Sequence, residues 1–469
     1  MEFQGFNAYE KSINKTGTST VFMAKDADGD FIVLTGENPG FEGVKSGDAL
    51  KVPLNNKNAN VLRKLFPFTA PSRVLGRDRS FGVGDRLGVA APGHIKLFEK
   101  YDAYPVFAQQ SIRELDLTNR TYEDVLDAVT FAVFRSGFKK EWGADGDHLK
   151  KASDVENALA LGFTMITLDC SEHIKNDVND DNAPPLPQNF ADKYLGKSFD
   201  IGEGLSLSFS EGELKKIVAV YGDAIEFAKG IYKQFFAGGK YAADFEISVD
   251  ETHTPTTPLQ HYFVARELID GGVVFATLAP RFCGEFQKGV DYIGDLNQFE
   301  KEIKAHAIIA RHFKYKLSVH SGSDKFAVFP SIGSATRGVF HIKTAGTNWL
   351  EAMRVVAARA PAFYREVHKY ALEAFEEARK YYVVTTDIGS IPDVDKLSDA
   401  ELPGLFELND SRQLIHITYG LILNKKNSDG TFTFKDKLYK FWNDNADEYA
   451  ASLEKHIGKH LDFLGVKKV

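Results

Sequence analysis

Cysteine is nearly absent from this chain, which has 2 in 469 residues, Cys170 and Cys283. Two isolated cysteines exclude the disulfide framework of small secreted domains and favour a reducing compartment. No stretch approaches the roughly 18 consecutive apolar residues of a transmembrane helix, and the polar residues 1–12 lack the apolar core of a signal peptide. We therefore expect a soluble, cytoplasmic protein without a membrane partner.

Basic residues are not in excess either, because 57 Lys and Arg face 65 Asp and Glu, for a formal net charge of -8. This balance, with Lys and Arg scattered along the chain, argues against a nucleic-acid partner. The hydrophobic share of 43% and the charged share of 26% are typical of globular proteins. The length predicts two or three structural units, one of which could be a barrel of about 250 residues.

The pattern of strands and helices divides the chain. Residues 1–80 alternate short β-like runs with turns, which predicts a β-rich N-terminal segment. From residue 81 the rhythm changes to strand followed by helix, which predicts an α/β (β/α)8 TIM-type barrel at residues 81–345. An open doubly wound sheet is the alternative. The predicted strands cover residues 86–91, 104–110, 143–148, 163–169, 241–249, 273–279, 316–320 and 339–343.

Two segments fall outside this rhythm. An insertion at about residues 175–240 opens with a polar, proline-containing run and ends in a predicted helix. Loops of this length at an active edge serve as lids or subunit contacts, which leaves a homo-oligomer open. Residues 346–469 are predicted to form a C-terminal, mainly helical extension with a β-like run at residues 413–419.

Ionisable residues stand at the ends of successive predicted strands, beginning with Asp147 and His148. An imidazole can hold a divalent cation while the adjacent carboxylate accepts a proton, so this pair suits metal-assisted proton transfer. Carboxyl ends of parallel strands meet at one edge, where active sites are built. The other strand-end candidates are Asp169, Glu246, Glu251, His253, Arg281, Glu285, His320, Asp324, Lys325, His341 and Lys343.

Three segments resemble the class II, metal-dependent aldolases: residues 147–149 (DHL), 162–169 (GFTMITLD) and 320–323 (HSGS). The resemblance implies that Asp147 transfers a proton and that His148 and His320 bind a divalent metal such as Zn, Mn, Ni or Co. Where those aldolases end the sixth strand with a ligand histidine, this chain has residues 280–285 (PRFCGE). Glu285 is therefore predicted as the third ligand, since two histidines and a glutamate are an acceptable set.

The whole chain is similar to the tagaturonate/fructuronate epimerase family, also met as tagatose 4-epimerases. Four segments carry this resemblance: residues 80–88 (SFGVGDRLG), 134–138 (FRSGF), 142–148 (WGADGDH) and 410–413 (DSRQ). The resemblance implies a metal-dependent epimerase of hexuronate catabolism that interconverts D-tagaturonate and D-fructuronate. Interconversion of tagatose and fructose at C4 is a further reaction that it implies.

The chemistry of such a substrate favours one mechanism. The inverted carbon is β to the ketone, so its C–H bond is not acidified and simple proton removal cannot invert it. Inversion is possible if the C3–C4 bond is cleaved, the aldehyde turns over and the bond re-forms. In this route Asp147 is the predicted base, and Glu251, in preference to Glu246, is the predicted second acid. Transient oxidation by a nicotinamide is the alternative. The glycines at residues 82, 84 and 88 have the wrong spacing for a dinucleotide fingerprint and precede a predicted strand.

Substrate-binding residues are expected among the remaining strand-end groups. Arg281, Lys325 and Lys343 suit the carboxylate of a keto sugar acid, and Asp169 is predicted to bind the substrate, or else to order a loop or the ligand shell. Two other functions stay open: a class II-type aldolase acting on a ketose or keto acid, and a non-catalytic protein that binds sugar acids.

Overall fold

The computed structural model describes residues 1–469. Its N-terminal segment is β-rich, as predicted, and ends in a helix, α1 (Asn56–Leu65). The strands are β1 (Glu2–Phe3), β2 (Phe6–Asn7), β3 (Asn14–Thr16), β4 (Ser19–Asp26), β5 (Gly29–Thr35), β6 (Val44–Ser46) and β7 (Ala49–Val52). Strands β3 to β7 form one antiparallel sheet in the order β3-β4-β5-β7-β6. One face of this sheet packs with α1 against Phe131 and Phe134 of a barrel helix, so the segment is docked on the barrel.

Eight parallel strands close into a barrel, which confirms the predicted architecture and rules out the open sheet. The barrel strands are β8 (Arg79–Val83), β9 (Tyr104–Ser111), β10 (Gly143–Leu149), β11 (Met165–Asp169), β14 (Asp244–Val249), β15 (Thr277–Pro280), β16 (Lys316–Val319) and β17 (Phe340–Thr344). Between β11 and β14, β12 (Ser198–Asp200) and β13 (Ser206–Ser208) form a separate short hairpin. Closure is made by β8, which pairs in parallel with both β9 and β17.

Helices connect the barrel strands, as parallel pairing requires. They are α2 (Ala91–Phe98), α3 (Ile112–Thr118), α4 (Tyr122–Ser136), α5 (Ala152–Ala160), α6 (Gln188–Tyr194), α7 (Glu211–Phe235), α8 (Pro258–Asp270), α9 (Leu296–Phe313) and α10 (Phe329–Ala335). Side-chain caps start several of them. Thr121 and Asp124 form a capping box at α4, and Ser210 and Glu213 form one at α7.

The first barrel strand was predicted at the wrong place. Residues 86–91 form a loop and the start of α2. The first barrel strand is β8, which begins seven residues before the predicted start. The loop is fixed by Asp85, whose carboxylate accepts hydrogen bonds from the backbone amides of Leu87, Gly88 and Ala90. The glycines at residues 82, 84 and 88 therefore lie within and after a strand and precede a helix, contrary to the order that we expected. Their spacing still departs from that of a dinucleotide fingerprint.

The insertion between β11 and β14 carries the β12–β13 hairpin, α6 and α7. Helix α7 packs on α8 and on the outer wall of the barrel, where Tyr221 and Ile225 lie beside Cys170. None of residues 175–240 lines the cavity described below.

The C-terminal extension is helical and shares the core of the barrel. It comprises α11 (Thr347–Arg359), α12 (Pro361–Ala378), α13 (Asn409–Ile417), α14 (Tyr419–Asn424), α15 (Lys435–Asp444) and α16 (Ala446–Phe463). Helix α16 crosses α2 closely at Gly93, where a Cβ atom would lie only 2.9 Å from Ala450 Cα. The β-like run predicted at residues 413–419 is helical instead. Its residues are buried all round, so apolar alternation carried no information about secondary structure there.

None of the helices is long and apolar enough to cross a membrane. Both cysteines are buried and unpaired.

Candidate active site

The carboxyl ends of the barrel strands surround a cavity of about 660 Å³. Asp147 and His148 reach it from β10, Asp250 from the end of β14, His320 from the end of β16, and Lys343 from β17. This is the edge of a parallel barrel at which loops and strand ends build active sites.

Three side chains from three strands converge inside this cavity, and we call His148, Asp250 and His320 the His–Asp–His group. One possible ligand atom of each lies within 4.8 Å of the others. His320 Nδ1 lies 3.1 Å from Asp250 Oδ1, and the two imidazole rings are 4.8 Å apart between centroids. Two imidazoles and one carboxylate form a donor set that first-row divalent metals accept. The residues present therefore fit a divalent cation.

Two further carboxylates, one for each imidazole of the His–Asp–His group, bind the ring nitrogen that would not face a cation. Asp147 Oδ1 lies 2.7 Å from His148 Nδ1, and Glu246 Oε1 lies 2.8 Å from His320 Nε2. Carboxylates in this position fix the orientation and tautomer of ligand histidines. They leave His148 Nε2 and His320 Nδ1 as the nitrogens available to a cation.

The backbone at His148 is irregular. Its φ of 55° lies in the left-handed region, and the pairing of β10 with β11 shifts register between Gly146 and Leu149. In a regular strand two successive side chains point to opposite faces. The irregularity allows Asp147 and His148 to line the same cavity and to bond to one another, and such local strain is typical of functional sites.

Lys343 is surrounded by carboxylates beneath the His–Asp–His group. Its Nζ lies 2.7 Å from Asp145 Oδ2 and 3.4 Å from Glu246 Oε1, contacts Asp147, and donates a hydrogen bond of 2.6 Å to Thr167 Oγ1. All four partners are buried. We predicted Lys343 as a substrate-binding cation, but its charge is already compensated within the chain.

The buried charges shift one another's protonation. Burial opposes ionisation of Asp147, but Lys343 and His148 outweigh it and hold the pKa of Asp147 below its usual range. Burial likewise opposes protonation of His320, yet Asp250 and Glu246 raise its pKa to about 10. Burial raises the pKa of Asp145 to about 6. The site is thus built to hold positive charge between ionised carboxylates.

Three further predicted residues line the cavity: Asp169, Glu251 and Arg281. Lys150 bridges the two acids, with its Nζ 3.5 Å from Asp169 Oδ2 and 3.7 Å from Glu251 Oε2. Arg281 donates a hydrogen bond to the backbone carbonyl of Thr252. The structure therefore brings these residues to the cavity, but not into the His–Asp–His group.

Two predicted residues are placed differently from our expectation. Glu285 lies at the rim with an exposed side chain, its backbone pairs with Ile293, and it is not a member of the His–Asp–His group. Lys325 does not line the cavity, because its buried Nζ is bonded to three backbone carbonyls, those of Gln287, Val290 and Ser323.

Sequence reasoning missed Asp250 and four cavity cations, Arg113, Lys150, Lys151 and Lys288. Asp250 is the first residue beyond β14, which is the same strand-end signal that identified Asp147 and His148. Arg113 and Lys288 lie two residues after β9 and in the loop after β15, so only the closed barrel brings them to the cavity.

Comparisons with known proteins agree with this geometry. The sequence model of the family described as "UxaE: tagaturonate epimerase" matches residues 9–464. The tagaturonate/fructuronate epimerase of Thermotoga maritima is 43% identical over 98% of this chain and 97% of its own length. The native and one-glycerol crystal structures of the fructuronate-tagaturonate epimerase UxaE from Cohnella laeviribosi each superpose with a TM-score of 0.96 at 46% identity, over 99% of this chain and 97% of theirs.

These matches confirm the family resemblance carried by the four sequence segments, and they extend over nearly the whole chain rather than over the barrel alone. The protein is therefore an isomerase that belongs to the tagaturonate epimerase family.

Proposed function

We propose that this chain interconverts D-tagaturonate and D-fructuronate in a divalent-metal-dependent reaction, by cleavage and re-formation of the bond between C3 and C4, with the ketone numbered C2. The observation that carries the proposal is the convergence of the His–Asp–His group with Asp147 in one cavity. Relatives named for this epimerisation at 43% and 46% identity support the substrate pair.

His148, Asp250 and His320 would hold the cation, which when bound supplies Lewis-acid polarisation of the substrate ketone. Asp250 takes the place that we expected for Glu285. Its carboxylate also accepts a hydrogen bond from Ser248, so it is oriented toward His320 by a neighbour on its own strand.

Asp147 is the proposed base. It is ionised at neutral pH because Lys343 and His148 lower its pKa despite burial, and it lines the cavity. In the proposed step Asp147 accepts the proton of the C4 hydroxyl, and the O–H electron pair forms the aldehyde carbonyl. The C3–C4 bond breaks and its electron pair passes to C3, which gives an enediolate of C1 to C3.

Inversion then requires the aldehyde to present its other face to C3. When the bond re-forms, the new C4 oxygen lies on the opposite side of the chain and needs a proton from a second acid. Glu251 lines the cavity and lies near Lys150, whereas Glu246 is fully buried under His320. Glu251 is accordingly the proposed second acid, and exchange with solvent restores both carboxyl groups.

The direct test is product analysis. Purified protein supplied with Mn, Zn, Ni or Co and D-tagaturonate should yield D-fructuronate, and the same equilibrium should be reached from D-fructuronate. A parallel incubation with D-tagatose examines turnover at C4 of a neutral ketose. Net release of a three-carbon aldehyde without epimer would instead identify an aldolase, and binding without conversion of any of these sugars would identify a non-catalytic protein.

A further inference from the structure

Four of the Lys and Arg side chains that line the cavity have no carboxylate of the chain within 4 Å: Arg113, Lys151, Arg281 and Lys288. Arg281 donates to the carbonyl of Thr252, and Lys151 and Arg113 are exposed, so Lys288 is the half-buried cation without such a bond in this cavity. Among the Lys and Arg side chains that line it, Lys343 contacts three acids and Lys150 lies within 4 Å of Asp169, Glu172 and Glu251. Lys288 and Arg113 have no carboxylate partner within that distance; Lys288 Nζ bonds to Ser321 Oγ at 3.2 Å, and Arg113 lies over the ring of Tyr382.

Lys288 sits in a positively charged environment. Burial, followed by the charges of Arg113 and Arg86, lowers its pKa, and the more weakly coupled Glu114 and Glu251 do not offset this effect. A half-buried ammonium group next to other cations is unfavourable unless an anion joins it. This end of the cavity therefore favours a negatively charged ligand group.

The position suits the carboxylate of a six-carbon sugar acid. Ser321, the hydrogen-bond partner of Lys288, directly follows His320 in the chain, so Lys288 reaches the cavity next to the His–Asp–His group. In the proposed cleavage the carboxylate stays on the aldehyde fragment. A residue that holds it would keep this fragment in the cavity while the aldehyde turns.

Three buried side chains donate hydrogen bonds to the backbone of the loop that carries Lys288. Lys325 donates to the carbonyls of Gln287 (2.9 Å) and Val290 (2.5 Å). Arg412 donates to the carbonyl of Gly289 at 2.6 Å, and Gln413 donates to that of Lys288 at 3.2 Å. Such support reduces the freedom that binding would otherwise have to remove.

We propose that Lys288, with Arg113 of the same cavity, binds the carboxylate of the substrate, and that Lys325, Arg412 and Gln413 are positioning residues that hold its loop. This inference rests on the proposed function for the identity of the substrate. It gives a role to two residues of the segment 410–413, which carried the family resemblance without a chemical explanation. It also explains why Lys325 is buried at the site without lining it.

The test compares charged and neutral ligands on Lys288→Met, Lys288→Arg and Arg113→Met, with the exposed Lys64→Met as the control. Loss of a charge-assisted hydrogen bond should lower kcat/KM for D-tagaturonate by roughly 10- to 100-fold in Lys288→Met, mainly through KM. Lys288→Arg should recover part of this loss. Turnover of D-tagatose by the same variants should change by less than about threefold, and Lys64→Met should match the wild type with both substrates.

A binding measurement keeps the inference separate from catalysis. Calorimetric titration with D-galactonate and with galactitol, which differ in the carboxylate, should show weaker galactonate binding in Lys288→Met and unchanged galactitol binding. If wild type epimerises neither sugar, the proposed function fails, and galactonate binding still decides the inference. Galactonate affinity and uronate kcat/KM that stay within about threefold of wild type in Lys288→Met would overturn it.

A test of the positioning residues must measure a quantity that general destabilisation would not change, namely the difference between the charged and the neutral substrate. Gln413→Ala should raise KM for D-tagaturonate and leave D-tagatose turnover unchanged. Combined with Lys288→Met, it should add little further loss, because both variants remove the same contact. Additive losses, or equal losses on both sugars, would show that Gln413 does not act through Lys288.

Discussion

Arg412 donates a hydrogen bond of 2.7 Å to Asp324 Oδ2, and this buried ion pair joins the C-terminal extension to the loop after β16. His456 Nε2 lies 2.5 Å from Asp324 Oδ1, and the backbone amide of Asp324 donates to His460 Nε2 at 2.9 Å. Asp324, His456 and His460 could by proximity hold a metal. Their bonding groups are occupied by one another, by Arg412, by Glu351 and by the backbone carbonyl of His456, which identifies them as a junction between the barrel and α16.

Asp324→Asn should destabilise the protein markedly. The isosteric change leaves the buried guanidinium of Arg412 without its counter-ion, and loss of one partner of a buried pair costs about 3–5 kcal/mol. Urea denaturation monitored by circular dichroism measures the effect. Asp444→Asn, which breaks the exposed Lys440–Asp444 pair, is the matched control and should cost less than about 1 kcal/mol. Equal midpoints for the two variants would contradict a structural role for the junction.

Removal of the His–Asp–His group should remove the metal. His148→Ala, Asp250→Ala and His320→Ala should each purify with little bound metal and no turnover, because each loses one proposed ligand. Glu285→Gln should keep both, since Glu285 lies outside the group. Elemental analysis before and after chelation provides the measurement, and Zn, Mn, Ni or Co should restore chelated wild type. Full activity in a sample shown to be free of metal would exclude metal dependence.

Glu246 should affect metal binding without being a ligand. Its carboxylate bonds to His320 Nε2, and loss of such an outer partner commonly weakens metal binding by about 10- to 100-fold. Glu246→Gln should therefore bind the metal more weakly in a competition titration with a chromophoric chelator, while His148→Ala should lose it altogether. Wild-type affinity in Glu246→Gln would show that the contact does not orient His320.

The two proposed proton-transfer groups should be separable from metal binding. Asp147→Asn and Glu251→Gln should retain the metal and lose kcat by roughly 100-fold or more, the scale expected on removing a general acid or base. Metal content and kcat measured on the same preparation separate the two effects. Near wild-type turnover by Glu251→Gln would mean that another group protonates the C4 oxygen on the second face.

Lys316 gives the protein a pH dependence remote from the cavity. Burial lowers its pKa from 10.5 to about 7, although Asp244 and Glu246 oppose this shift, and its Nζ donates to Arg77 O and Ser80 Oγ at 2.7 Å each. Between these pH values the unfolded chain binds a proton that the folded chain does not. Its contribution to stability should therefore rise with pH across this window, by up to about 1.4 kcal/mol per unit, and level off outside it.

Lys316→Met should remove that dependence. The difference in denaturation midpoint between wild type and Lys316→Met should increase in favour of the wild type from pH 7 to pH 10. The exposed Lys301→Met should follow the wild type throughout. Parallel curves for wild type and Lys316→Met would show that Lys316 keeps its proton in the folded state.

The sequence predicted the barrel and part of the site because both depend on local patterns. Apolar runs followed by Asp147, His148 or His320 mark strand ends, and parallel closure brings strand ends together. The sequence could not show that Glu246 and Asp250 contact His320 while Glu251 does not, since the three carboxylates stand within six residues and the exact strand end decides their positions. The sequence also could not show that Lys325 points away from the cavity, because the left-handed backbone at Asp324 (φ 63°) turns the chain just before it.

The mechanism itself predicts an isotopic result. If the C3–C4 bond breaks, the C–H bond at C4 is never cleaved, so D-tagaturonate carrying deuterium at C4 should turn over without a large primary isotope effect. The deuterium should also remain at C4 in D-fructuronate. Transient oxidation would instead break that bond and produce a primary effect. Mass spectrometry of the product and competition between labelled and unlabelled substrate provide both readouts. A large primary isotope effect, or a nicotinamide released on denaturation, would favour oxidation over bond cleavage. In either mechanism the residues that line the cavity have to orient C4 of the substrate.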